Sequence, residues 1–384
     1  MSNLLLGLPL LPLCFLQLPE LQDPAPVAEP AEDASESAED LSELLAPIAL
    51  EYGVPGMGCA LIVDGELVGL GAAGLRAAGA PERVTTTDLW HLGSCTKAMT
   101  ATLAARLVER GELTWATTLA EGFKGTRVHA DLRAVTLEQL LTHTAGLMPN
   151  PTVGSLWLRL RGHAETPVEG RALVVAEVLP LAPEVPPGTR MLYSNTGYMI
   201  AGAMLERRAD EAWEALMARE VFGPLGMRSA GFGAPGTPDA VSQPRGHNEQ
   251  GEALPPGALA DNPSALGPAG TVHATLADWA RFVLVHLGHG PEGYLTGETL
   301  AKLHTPPASP SGGRYAMGWA TAKSEWATGP ILTHSGSNTL WFCTTRLAPE
   351  EDFAVLVTVN QAGEAGSKAA EAACVMLLEL AGRL

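Results

Sequence analysis

Trp90-His91-Leu92-Gly93-Ser94-Cys95-Thr96-Lys97 opens the stretch from which the rest of the chain is read. After Lys97 the apolar residues Ala98, Met99, Leu103, Leu107 and Val108 recur at three- and four-residue steps. No proline interrupts them, and Gly111 stands where a C-cap belongs. The spacing predicts a helix of about four turns with Ser94 at its N-terminus. Residues three apart share a helix face, so Lys97 can reach the hydroxyl of Ser94.

A serine hydroxyl is a poor nucleophile until a neighbouring base takes its proton. Lysine can be that base once its pKa is lowered by burial against apolar residues, or by a nearby positive charge or dipole end. A helix N-terminus also offers backbone N–H groups and a positive dipole end to a developing oxyanion. The plainer alternative is a serine cap followed by a solvated lysine, so the pair identifies nothing by itself.

Serine catalysis also needs a group that carries a proton to the leaving atom and a pocket for the oxyanion. Tyr193-Ser194-Asn195 ends a loop that contains Pro186-Pro187-Gly188 and precedes a helical pattern. A tyrosine beside a lysine ammonium is expected to lose its proton more easily than an ordinary phenol. Asn195 has donors and an acceptor with which to hold Lys97 and a substrate amide together. Loop packing by Tyr193 and helix capping by Asn195 are the structural alternatives. His334-Ser335-Gly336-Ser337 precedes an apolar run that starts near Leu340. A glycine there lets a substrate backbone lie along a strand edge, and the Ser337 N–H is placed to share an oxyanion with that of Ser94. An ordinary strand-entry turn reads the same way.

The composition narrows the classes. Hydrophobic residues make up 46% and charged residues 17% of the 384, as in a globular chain with a large core. Nine of the acidic residues behind the net charge of −18 lie between Glu20 and Glu43, where there is no lysine or arginine. Half the excess is therefore a tail, and no basic cluster exists to follow a nucleic-acid backbone. The five cysteines form no C-x-x-C pair, and their scatter argues for buried thiols over disulfides or metal ligands. No histidine cluster has metal-site spacing, and G-x-S-x-G is absent, which sets aside metal hydrolases and α/β-hydrolases.

Along the chain, residues 1–19 hold an apolar run broken by Pro9 and Pro12. It is too short for a membrane span and resembles the core of a signal peptide, so export to the periplasm or outside is expected. Residues 20–40 read as an acidic, disordered linker. From 41 onward a helical stripe leads to two apolar runs around Asp64-Gly65, a hairpin signal. Gly69, Gly71 and Gly74 spell G-x-G-x-x-G, but Gly79 and Pro81 leave no room for the helix a dinucleotide site needs. Near the far end, residues 340–346 and 353–359 read as strands and 367–380 as a helix. The predicted fold is α/β of the α+β type, with a central antiparallel sheet covered by terminal helices. The sheet lobe takes residues 41–90 and 312–384, and a mostly helical insert takes 91–311. Within the insert, 174–179, 196–209, 211–222 and 275–287 read as helical, 137–146 as a distinct segment between helices, and 235–268 as irregular.

Together, S-x-x-K at a helix start, Y-x-N a hundred residues later and H-x-G before a C-terminal strand resemble the serine β-lactamase and penicillin-binding family. The branch is the one that holds class C β-lactamases, D-peptidases and esterases. Leu141-Thr-His-Thr-Ala-Gly-Leu147, Phe222-Gly-Pro-Leu-Gly-Met227 and Pro268-Ala-Gly270 extend the resemblance over residues 44–380. It implies Ser94 as acyl-accepting nucleophile, Lys97 as its proton partner, and Tyr193 as acid and base for leaving group and water. It also implies Asn195 as orienter of Lys97 and substrate, His334, Gly336 and Ser337 as the substrate-binding edge, and no cofactor. The chain departs from class C at His334, where those enzymes carry lysine to bind a substrate carboxylate. An ordinary imidazole is mostly neutral at pH 7, which weakens that attraction. Ester or D-amino-acid peptide and amide hydrolysis is therefore ranked above β-lactam hydrolysis. A non-turnover peptide or cell-wall binder is the remaining alternative. The family gives no role for Cys95.

Overall fold

The computed structural model describes residues 37–162, 166–308 and 313–384. The expected signal segment and residues 20–36 of the expected linker lie outside them. The end of that linker departs from expectation, because Glu39–Asp40 form a short strand, β1. The cause is Leu41, which is buried and donates its N–H to the Leu70 carbonyl at 2.8 Å, drawing the preceding residues to the sheet edge.

Two further strands, β2 (Gly56–Val63) and β3 (Glu66–Gly74), form the expected hairpin. Asp64 and Gly65 turn it with φ of 51° and 77°, the left-handed pair that an Asp-Gly turn supplies. The glycine-rich spacing in β3 serves packing. A Cβ at Gly69 or Gly71 would come within 2.7 or 2.8 Å of Leu41. The sheet is completed by β4 (Ala320–Ala322), β5 (Ile331–Ser337), β6 (Phe342–Ala348) and β7 (Phe353–Val359). Their order is β1-β3-β2-β7-β6-β5-β4, with every pair antiparallel except β1 with β3. The β2–β7 pair, with Met57 opposite Val359 and Val63 opposite Phe353, joins the two ends of the chain.

Five helices position the site: α1 (Ser42–Tyr52), α2 (Thr96–Glu109), α3 (Asn195–Ala209), α4 (Leu276–Leu287) and α5 (Gly363–Leu380). The alternation of β7 divides the core between them. Phe353, Val355 and Val357 pack with Leu45 of α1 and Cys374 and Leu377 of α5. Ala354 and Leu356 join the larger core, which holds Met99 and Leu103 of α2 and Trp279 and Phe282 of α4. Each fully buried aliphatic or aromatic side chain contributes ~1.5–3 kcal/mol, so burial on both faces, more than turn chemistry, holds the sheet.

One expectation in the insert changes. The helix expected over 211–222 is an α-helix only at Trp213–Met217 and widens into a π-helical turn at Ala218–Phe222. There the Tyr294 hydroxyl donates to the Glu220 carbonyl at 2.9 Å, and Glu220 pairs with Arg219 at 2.6 Å. The stretch 235–268 is largely irregular as expected, apart from a small ladder between Gly246–His247 and Ala253–Leu254, a 3-10 turn at Ser264–Leu266 and the start of a one-turn helix, Gly267–Gly270.

Candidate active site

Ser94 sits in a separate 3-10 turn, Gly93–Cys95, and α2 begins two residues later. Gly93 has φ of 46°, and a Cβ on it would run into the Ser337 amide. A Cβ on Gly336 would run into the Leu92 carbonyl and come within 2.9 Å of the Ser94 amide. The two glycines thus let strand β5 lie directly on the turn, with the amides of Ser94 and Ser337 flanking the contact.

Ser94 is the only partly exposed residue between His91 and Thr100. Lys97 is fully buried, and its Nζ donates to Ser94 Oγ at 2.9 Å and to the Ala269 carbonyl at 2.6 Å. Burial disfavours the ammonium and brings the Lys97 pKa down to about 7. The Ala269 carbonyl is a partner that side-chain reasoning did not reach. Its signal was the Pro268-Ala-Gly270 segment, which the Thr100 hydroxyl also holds by donating to the Pro268 carbonyl at 2.7 Å.

Tyr193 joins this pair. Lys97 Nζ lies over its ring, 4.9 Å from the centroid. The expectation of an easily lost phenolic proton does not hold, because burial raises the Tyr193 pKa and the hydrogen bond with Ser94 offsets this only in part. Tyr193 therefore rests neutral while Lys97 is the group that titrates near neutrality. Asn195 opens α3, but its amide donates to Asn150 Oδ1 at 2.8 Å, and the hydrogen bonds of Lys97 go to Ser94 and Ala269. The cap of α3 is Ser194, whose Oγ accepts from the Gly197 amide at 2.9 Å.

His143, in the middle of the Leu141–Leu147 motif, supports Tyr193 from behind. Its ring centroid is 4.2 Å from that of Tyr193, and its Nδ1 accepts the Ser194 N–H at 3.1 Å. It is buried with φ of 59°, a left-handed conformation uncommon outside glycine, and burial drives its pKa well below the ordinary value.

His334, Gly336 and Ser337 occupy β5 itself, a correction to the strand-entry turn expected there. Leu332, His334 and Gly336 are buried while Ser335 and Ser337 are exposed. The His334 Nε2 is 3.0 Å from the Tyr315 hydroxyl. Cys95 and Cys343 lie buried beneath the turn with Sγ atoms 3.5 Å apart. The other described cysteines, Cys59 and Cys374, are also free and buried, and Cys14 falls outside the described residues. Among the described residues no group of three or more histidine, cysteine or acidic side chains is placed to hold a metal. No described helix is long and apolar enough to cross a membrane.

A central sheet with a serine on the turn before a helix, seated against strand β5, a buried lysine and a facing tyrosine defines a protein of the β-lactamase/transpeptidase fold. The chain belongs to the Beta-lactamase family, which it matches over residues 32–378. It is 30% identical to "Penicillin-binding protein 4" of Amycolatopsis lactamdurans, over 86% of this chain and 87% of that one. It is 25% identical to the "Unguisins hydrolase ungD'" of Aspergillus campestris (strain IBT 28561), over 84% of this chain and 61% of that one. Among solved structures, SurE superposes with a TM-score of 0.71 at 25% identity, covering 88% of this chain and 74% of that one. The family and these relatives point to hydrolase activity.

Proposed function

We propose that the protein is a serine hydrolase that works through an acyl-enzyme on Ser94, on ester or D-amino-acid peptide and amide substrates. The observation that carries this reading is the fully buried Lys97 amine, 2.9 Å from Ser94 Oγ, with a pKa of about 7. Such an amine is substantially neutral at physiological pH and can take the serine proton as the Oγ–carbonyl bond forms. The amides of Ser94 and Ser337 receive the negative charge that develops on the carbonyl oxygen. Tyr193, protonated at rest, gives its proton to the leaving group as the scissile bond breaks, and recovers one from Lys97. Water then attacks the ester on Ser94, its proton passes to the tyrosine–lysine pair, and Ser94 leaves with a proton restored. Asn195 and the β5 edge, with His334, Gly336 and Ser337, position the substrate.

His334 in place of a fixed cation favours esters and amides over β-lactams that carry a carboxylate. The D-amino-acid class is further supported by SurE, which has also been solved with D-Leu. Ser94→Ala and Lys97→Ala are each expected to lower hydrolysis of a p-nitrophenyl ester by at least about a thousandfold while the circular dichroism spectrum is retained. Hydrolysis by Ser94→Ala at the wild-type rate would overturn the assignment.

A further inference from the structure

Tyr315 belongs to none of the three motifs, and the function above gives it no task. Only five tyrosines occur in the chain, yet three of them, Tyr193, Tyr198 and Tyr315, surround His143 with ring centroids 4.2, 5.2 and 4.5 Å away. Tyr315 is buried, and burial holds its pKa well above the ordinary phenolic value, so its hydroxyl keeps a proton to donate.

The hydrogen bonds of His334 fix what that hydroxyl does. His334 Nδ1 is 2.7 Å from the Ser335 carbonyl oxygen, which can only accept, so Nδ1 carries a proton. In the neutral imidazole Nε2 is then the lone-pair nitrogen, and the Tyr315 hydroxyl at 3.0 Å donates to it. In the protonated imidazole Nε2–H donates to the Tyr315 oxygen instead. Both ring nitrogens are therefore engaged inside the protein in either state. A substrate carboxylate that reaches this strand position meets no free N–H from the ring.

We infer that Tyr315 is a specificity-determining residue. By occupying Nε2 of His334, it closes the third-motif position to carboxylates and tunes the site to esters and amides without a free carboxylate beside the scissile bond. This rests on the reading of Ser94 as the nucleophile, because Gly336, two residues after His334 on the same strand face, lies against the Ser94 amide.

The test compares wild type and Tyr315→Phe on a matched pair of substrates, phenyl acetate and 3-carboxyphenyl acetate. Removing the hydroxyl leaves the Nε2–H of the protonated ring free to donate to the carboxylate, so at pH 6 the ratio of kcat/KM for the two esters is expected to shift about tenfold toward the carboxylate ester, through its KM. An unchanged ratio would overturn the inference, whether both rates stay or both fall by the same factor. Long-range proton–nitrogen NMR reads the contact itself. The Nδ1–H tautomer of neutral His334 is expected in wild type, and the Nε2–H tautomer would overturn the inference. If neither ester acylates Ser94, the functional reading fails separately. The affinities of wild type and Tyr315→Phe for the two leaving groups, 3-hydroxybenzoate and phenol, then decide the role of Tyr315 in the same way.

Discussion

The residue that most constrains the chemistry is Lys97, because its environment assigns it a protonation state. An amine with no solvent exposure and two hydrogen-bond partners, one a hydroxyl and one a carbonyl, has no carboxylate to stabilise its charge. Burial accordingly lowers its pKa, and the free amine dominates above about 7. The base is lost as pH falls through that value, so kcat/KM for an ester is expected to drop about tenfold per pH unit below it and to level off above. A stopped-flow pH profile of acylation checks this, and a flat profile from pH 5 to 8 would rule out Lys97 as the base. Tyr193 adds no limb in that range, since burial raises its pKa. At this scale Ser94, Lys97 and Tyr193 were legible as residue types at defined spacings. What the spacing could not carry was environment. Burial reverses the expected acidity of Tyr193 and hands Lys97 the Ala269 carbonyl, a backbone atom that no side-chain motif can announce.

At the scale of elements, β5 was the hardest to read and matters most to the site. Its sequence, Ile-Leu-Thr-His-Ser-Gly-Ser, has an apolar residue only at the first two of seven positions, because the face that would carry hydrophobic residues carries His334 and Gly336. His334 and Gly336 displace the alternation by which a strand is recognised. The hairpin at Asp64-Gly65 and helix α2 show the converse, with turn chemistry and apolar periodicity agreeing with the local structure. The close seat of β5 on the Ser94 turn yields a prediction. Gly336→Ala would push the strand off Leu92, Cys343 and Ser94, and kcat/KM is expected to fall about 100-fold from misplacement alone. Gly297→Ala, where an added Cβ meets nothing within 4 Å, serves as the control and should leave kinetics and Tm unchanged. Equal behaviour of the two variants in ester kinetics and thermal melts would refute the packing argument.

For the whole molecule, the sheet was predictable from its ends. Helix and hairpin at the start and hairpin and helix at the finish could bury their apolar faces only against each other, and the β2–β7 pair with α1 and α5 packed on one face is that solution. The edges were less legible, because β1 and β4 are two and three residues long and take their conformation from neighbours. The two halves of the sheet bring β5, from the C-terminal part of the chain, against a turn near residue 94, and the candidate site exists only in the assembled fold. The central claim is that this assembly forms a covalent intermediate on Ser94. The direct test is intact-protein mass spectrometry of wild type and Ser94→Ala, quenched within seconds and again after an hour, with a p-nitrophenyl ester and, separately, a penicillin. The account predicts an adduct on wild type alone, cleared quickly for the ester and slowly for the penicillin. An adduct of equal occupancy on Ser94→Ala, or ester turnover with no adduct at any time, would contradict it.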